Sequence, residues 1–259
     1  MRRAWGLLLV ASCATDEGAE LDYAASARQN YLKGKEALAD DQYLEAHGYF
    51  THVKNKYPFS RYAAYAELRV ADTYYAEGKF AEATSAYRIF LRGHPTHPEV
   101  ESGYVNFHVC ECYVHQMPDD WALAPPAYEK DQASAEDALR ELRDFVDRFA
   151  KSRYIVRARR RLRSVLRRLA DHELYVARFY LDRDKPRAAA GRLEGLLSEY
   201  PEAGSDPEVL LILGETYLKA GQRERARAAF TRLAAEHKGN VHGRKALLYL
   251  RFIEESGSD

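Results

Sequence analysis

One phrase recurs along this chain, and it constrains the fold more than any other feature. Residues 189–201, AAGRLEGLLSEYP, carry its fullest form: Ala189, then Leu193, Leu196 and Pro201 at +4, +7 and +12. Ala46, Phe50, Val53 and Pro58 repeat it, as do Ala83, Tyr87, Phe90 and Pro95. Ala138, Leu142 and Phe145 keep the apolar positions with Ala150 in place of proline, and Ala226, Phe230 and Leu233 keep them with Lys238. The i, i+4, i+7 spacing puts these side chains on one helical face, and proline stops the helix.

Four of the five phrases have a partner segment upstream. Twelve residues before the alanine stands Gly34, Ala71, Ala177 or Gly214, where two helices must approach closely. Nine before it stands Ala37, Tyr74, Tyr180 or Tyr217, and five before it a turn residue, Asp41, Gly78, Asp184 or Gly221. Helix, tight turn, helix at a period near about 34 residues is the tetratricopeptide pattern. The expected fold is therefore all-α: a tetratricopeptide-repeat superhelix of five helix pairs plus a C-terminal capping helix.

The spacings between key alanines, 37, 55, 51 and 37, locate the irregularities. Helices are expected over 23–39, 43–56, 61–76, 80–92, 99–116, 154–183, 187–200, 208–220 and 223–236, with a cap over 241–254. The 55 contains an insert at 117–130, with Trp121 and Pro125-Pro126, between the two helices of the third repeat. The 51 reflects a long fourth A helix. Lysines plus arginines number 39 and so do the acids, which gives no overall pull toward nucleic acid.

The first residues read as a targeting segment. Met1-Arg2-Arg3 is basic, residues 4–11 are apolar but too short to span a bilayer, and Val10-Ala11-Ser12-Cys13 resembles the lipobox of bacterial lipoproteins. That resemblance implies a signal peptide over 1–12, lipidation of Cys13, a tether over 13–22, and delivery to the outer membrane because Ala14 follows the cysteine. Several acyl chains on one residue suffice for stable anchoring.

Chemistry is scarce. No glycine-rich phosphate loop, G-x-S-x-G or H-E-x-x-H occurs, so neither an enzyme nor a cofactor is expected. His108, Cys112 and His115 share a helical face, but are read as packing and solvated residues rather than a metal site. Cys110 and Cys112 diverge on a helix and are not placed to pair. The arginines of 157–168 (Arg157, Arg159, Arg160, Arg161, Arg163, Arg167, Arg168) are read as a solvated flank paired with nearby acids. The other reading is a basic patch for nucleic acid or phospholipid headgroups. Seven arginines around one helix cannot all face one way.

In a tetratricopeptide array the A helices line an inner groove at positions 2, 5, 9 and 12 of each repeat. Here these are Arg28, Tyr31, Lys35 and Leu38; Tyr65, Leu68, Asp72 and Tyr75; Tyr104, Phe107, Glu111 and Val114. Tyrosines with a few charges suit an extended or helical peptide.

These residues together carry a family resemblance. Tyr57-Pro58-Phe59, Pro95-Thr96-His97-Pro98, Leu169-Ala170-Asp171-His172-Glu173-Leu174 and Arg192-Leu193-Glu194-Gly195-Leu196-Leu197 stand where the BamD family has similar strings. That family comprises lipoprotein subunits of the outer-membrane β-barrel assembly machinery. The family's insert is followed by Arg-Asp, where this chain has Lys130-Asp131. The resemblance implies a non-enzymatic periplasmic adaptor, lipid-anchored to the outer membrane and binding no nucleic acid. Its C-terminal repeats (151–259) would dock on a POTRA domain of a BamA-like barrel protein through Arg192 and Glu194, beside other assembly subunits. Its N-terminal repeats (23–150) would receive unfolded outer-membrane proteins. Another periplasmic repeat lipoprotein, coordinating envelope constriction or peptidoglycan synthesis, is the alternative.

Overall fold

The computed structural model describes residues 17–118, 127–201 and 206–255, all in helices, turns and connecting segments. Cys13 and the lipobox, Trp121 and Pro125-Pro126 lie outside the described residues. The chain divides into two compact units, Met1–Thr96 and His97–Asp259.

In the first unit, α1 (Glu17–Ala39) pairs with α2 (Tyr43–Lys56), and α3 (Arg61–Ala76) with α4 (Phe80–Gly93). In the second, α5 (Pro98–Glu101) leads into α6 (Tyr104–Gln116), which pairs with α7 (Ala133–Arg148). Then α8 (Ile155–Leu181) pairs with α9 (Pro186–Glu199), α10 (Pro207–Lys219) with α11 (Arg223–Glu236), and α12 (Val241–Glu255) packs on that last pair. Five helix pairs and a cap make the all-α tetratricopeptide fold that the repeated phrase predicts.

The phrase earns its spacing in the core. Ala46, Ala83, Ala138, Ala189 and Ala226 are fully buried, as are Phe50, Tyr87, Leu142, Leu193 and Phe230 four residues on. Each fully buried large side chain contributes about 1.5–3 kcal/mol relative to exposure. The small residues upstream sit where predicted. A Cβ on Gly34 would lie 2.7 Å from the Phe50 ring, and one on Gly214 2.5 Å from the Phe230 ring. The turn positions Asp41, Gly78, Asp184 and Gly221 all adopt positive φ, at 58°, 80°, 55° and 74°. The four A helices that end at these turns close with the next residue's N–H bonded back across the turn, as in Gln42 to the Ala37 carbonyl and Gln222 to that of Tyr217, both 2.8 Å. This is the left-handed C-terminal cap that satisfies otherwise orphaned carbonyls. Asp tolerates that conformation better than most residues.

Three boundaries differ from expectation. The helix expected over 99–116 is broken: α5 ends at Glu101 and α6 begins at Tyr104. Gly103 between them has φ 81°, and a Cβ there would meet the Phe149 and Phe145 rings at 3.0 and 3.1 Å. The break lets the chain turn tightly against α7. His97 caps α5, its ring nitrogen accepting the Glu99 N–H at 3.2 Å, with Pro98 in the first turn. At the other end, α1 starts at Glu17, inside the stretch expected as tether. The long helix runs over Ile155–Leu181, shorter at both ends than expected.

Candidate functional site

The twelve predicted groove positions do not share one environment. On α1 and α3, Arg28 and Lys35 are exposed and Tyr31, Tyr65 and Tyr75 are half-buried. Tyr31 holds this face together, its ring 5.4 Å from that of Tyr62, 5.8 Å from Phe50 and 6.4 Å from Tyr65. Tilted ring contacts of this kind fix aromatic side chains at little further entropy cost. Tyr104, on α6 in the second unit, is half-buried, with its ring 4.1 Å from His108.

Leu68, Asp72, Phe107 and Glu111 are instead taken up by the fold, Leu68 as a fully buried core residue. Asp72 is buried, accepts the Tyr87 hydroxyl at 2.6 Å and pairs with Arg69 one turn back. Phe107 is fully buried, stacked on Tyr154 at 4.9 Å, with the Arg157 guanidinium 5.0 Å from its ring centroid. Glu111, only 1% exposed, is gripped from α8. Arg161 donates to both its oxygens, Nε at 2.8 Å and Nη2 at 3.0 Å, and Arg157 adds a longer contact at 3.4 Å. A buried carboxylate needs such compensation to stay ionised. As groove-lining groups these four are corrected to interior ones.

The arginine run keeps the pairing with a nearby acid that was expected, at Glu111, but Arg161 and Arg168 are half-buried rather than part of one solvated flank. Arg157 reaches Glu111 from an exposed position, and Arg168 donates to the Pro118 carbonyl at 2.6 Å and to Gln132 at 3.1 Å. Beside it, His172 Nδ1 lies 2.5 Å from the Tyr128 carbonyl. Both described ends of the insert are therefore fastened to α8. Arg159, Arg160, Arg163 and Arg167 are exposed.

His108 Nδ1 lies 2.8 Å from the Tyr104 carbonyl, Cys112 is buried and His115 exposed. Among the described residues, no group of three His, Cys, Asp or Glu side chains is arranged to hold a metal. Cys110 is buried, and that burial, with Glu141 nearby, pushes its thiol up, away from the reactive thiolate.

At the C-terminal surface, Arg192 and Glu194 behave differently. Arg192 stands half exposed on α9, with a long 3.6 Å contact to Glu173 of α8. Glu194 is a hub: Tyr217 and Arg225 both donate to its Oε1 at 2.9 Å. It thereby links α9 to α10 and α11. Burial, reinforced by the Glu194 bond, pushes the Tyr217 hydroxyl up to about 12. A groove of about 380 Å³ opens beside these groups, lined by Leu197, Leu210 and Leu213 with Arg225 and Arg232. Gly195 follows Glu194, and apart from its chain neighbours and its own helix backbone no described residue lies within 4 Å of where its Cβ would be. A second hub escaped the sequence reading: Glu215 accepts Lys245 at 2.8 Å and Tyr249 at 2.7 Å, seating α12. Its pairing crosses about 30 residues with no repeat position to mark it.

The fold defines a tetratricopeptide-repeat protein. Residues 23–233 match the family model described as "YfiO: Outer membrane lipoprotein". The chain belongs to that family. Among curated relatives, the outer membrane protein assembly factor BamD of Caulobacter vibrioides is 29% identical over 76% of this chain. This chain spans 61% of that relative's length. The BamD of Neisseria meningitidis serogroup A is 27% identical over 85% of this chain and 84% of its own length. Solved repeat structures align over most of the chain at low scores. They include the TPR2AB-domain:pHSP90-complex of yeast Sti1 (TM-score 0.44, 10% identical, 90% of this chain and 84% of that one). A Thermus thermophilus repeat protein gives TM-score 0.34 at 20% identity, over 86% and 99%. No helix among the described residues is long and apolar enough to cross a membrane.

Proposed function

We propose that this chain is a non-enzymatic lipoprotein subunit of the outer-membrane β-barrel assembly machinery. It is anchored through Cys13, docks on a POTRA domain of a BamA-like barrel protein through α9, and receives unfolded outer-membrane protein segments on the tyrosine face of α1 and α3. The family match over residues 23–233 carries the reading. The geometry of α9 supports the docking face. Arg192 presents its guanidinium at the surface, suited to a two-pronged bond with a partner carboxylate. Gly195 adds a second support. A mid-helix glycine costs about 0.5–1 kcal/mol relative to alanine, and no described residue beyond its neighbours and its own helix backbone occupies the space it leaves. Close approach by a partner gives that glycine a reason. Glu194, held by Tyr217 and Arg225, positions the face rather than offering a free carboxylate.

The client face is Arg28, Tyr31, Lys35, Tyr65 and Tyr75. It offers aromatic area and cationic ends without a deep pocket, as a surface that must release its clients requires. The test is a pull-down from detergent-solubilised envelopes, wild type beside Arg192→Glu. Recovery of a barrel protein by wild type and its loss on charge reversal is the expected result. A barrel partner retained by the variant moves the contact elsewhere. Absence of any barrel partner rejects the assembly role in favour of a repeat lipoprotein serving constriction or peptidoglycan synthesis.

A further inference from the structure

The outward arginines of α8 are a second surface. From Arg148 to Ala170 the chain carries ten lysines and arginines and no carboxylate, in a protein whose formal charges sum to zero overall. The helix sorts them. Arg157, Arg161 and Arg168 recur at i, i+4 and i+11 and make this chain's own contacts, to Glu111, Pro118 and Gln132. One residue earlier in each case, about 100° around the helix, run Val156, Arg160 and Arg167, with Arg163 between them. Val156 is 66% exposed and the three arginines are exposed, with Arg159 alongside. No ion pair reaches Arg159, Arg160, Arg163 or Arg167 among the described residues. The stripe ends at Asp171, which Arg167 faces. From Arg160 to Arg167 it extends about 10 Å along the axis.

We infer that this stripe lies against the phosphate-bearing headgroups of an anionic membrane surface. Four guanidiniums along one line of a rigid, packed helix, with a single exposed valine, match a plane of phosphates. A protein partner would call for a central apolar anchor seated in a pocket, and the stripe offers only Val156. A chain of an outer-membrane lipoprotein family has such a surface at hand. The inference rests on that membership and not on the docking assigned to α9. A second contact would fix how the solenoid's second unit stands over the bilayer, which a lipid on a single residue cannot do.

The experiment is vesicle co-sedimentation of the full chain carrying Cys13→Ser, so that no acyl group contributes. Vesicles of phosphatidylcholine alone are compared with vesicles half phosphatidylglycerol. Each arginine near an anionic surface strengthens partition severalfold, so wild type prefers the anionic vesicles and releases them in high salt. The triple change Arg160→Gln, Arg163→Gln, Arg167→Gln leaves Arg157, Arg161 and Arg168 intact and lowers anionic binding about a hundredfold. The triple Lys counterpart keeps the charge and retains binding, which separates lost charge from lost folding. Equal binding by the Gln triple and wild type overturns the inference. So does equal wild-type binding to both vesicle types, or a poly-glutamate peptide displacing the protein's vesicles at low concentration, which would assign the stripe to an acidic protein segment.

Discussion

Lys35, Asp72 and Glu111 occupy the same position in three successive repeats, and the fold gives them three different employments. Lys35 is exposed on α1. Asp72 is buried and bonded within its own pair, to Arg69 of α3 and Tyr87 of α4. Glu111 is buried and bonded across repeats, from α6 to Arg157 and Arg161 of α8. A repeat address thus fixes which face a side chain starts from, not whether a neighbour claims it. The second repeat spends its carboxylate on holding one hairpin. The third spends its carboxylate on joining two hairpins, at the point where an insert and a long helix interrupt the regular stacking.

The largest effect is expected at Glu111. Removing one member of a buried, hydrogen-bonded ion pair costs about 3 kcal/mol or more, because the remaining charges lose their partner. Arg157 and Arg161 retain some access to water, 60% and 38% by side chain, which holds Glu111→Ala near the lower end. Urea unfolding measures it. Glu111→Leu combined with Arg161→Met is expected to recover most of the loss, since an apolar pair of similar bulk often replaces a buried ion pair without penalty. A small loss from Glu111→Ala alone would reduce the contrast between the two repeats to one of geometry.

At Asp72 the network is local and the expected cost smaller. Tyr87→Phe removes one hydrogen bond to a charged group and is expected to cost about 1.5 kcal/mol by urea unfolding. It leaves the second unit's transition untouched if the two units unfold separately. A shift in both transitions would show that the second repeat's hairpin supports more than itself.

How much of this was legible beforehand follows from the range of each interaction. The alanine phrase, the small residues at Gly34 and Gly214, and the turns at Asp41 and Asp184 are local or nearly so. Sequence spacing encodes them, and they are where expected. The break at Gly103 was missed because a glycine inside a helical pattern is ambiguous alone. Its reason, the Phe145 and Phe149 rings, lies more than one helix away. The seating of Glu111 is a pairing about 50 residues apart. It depends on which face of α8 turns inward, and a run of arginines at both helical phases conceals that. The inner face of α8 was therefore unreadable, while its outer face was at least suspected.

At α9 the comparison takes another form, stability against recognition. Gly195→Ala fills open space and removes a glycine from a helix, so the fold is expected to gain about 0.5–1 kcal/mol. Under the docking proposal the same methyl group stands in a partner's way, and recovery of the barrel protein is expected to fall. Gly214→Ala provides the contrast: its Cβ would lie 2.5 Å from Phe230, so the fold itself loses stability. A Gly195→Ala variant that gains stability and keeps its partner would move the contact off this part of α9.

The smallest effect on the fold is expected where the repeat position is unclaimed. Lys35→Ala should alter stability by no more than about 0.5 kcal/mol, as for exposed sites generally. The informative readout is binding. If α1 and α3 receive clients, Lys35→Ala weakens capture of an acidic, aromatic-rich segment from an unfolded barrel protein while urea midpoints stay fixed. The weakening should shrink as salt rises, because an exposed charge beyond close contact is screened within about 8–10 Å at moderate ionic strength. Tyr31→Ala beside it removes a ring that touches Phe50 and Tyr62, so it lowers stability as well as binding. Lys35 separates the two: a residue on the same face, at an address shared with two buried carboxylates, whose loss the fold does not register. Unchanged client binding in Lys35→Ala at low salt would leave this position without an assigned use and confine the client face to its tyrosines.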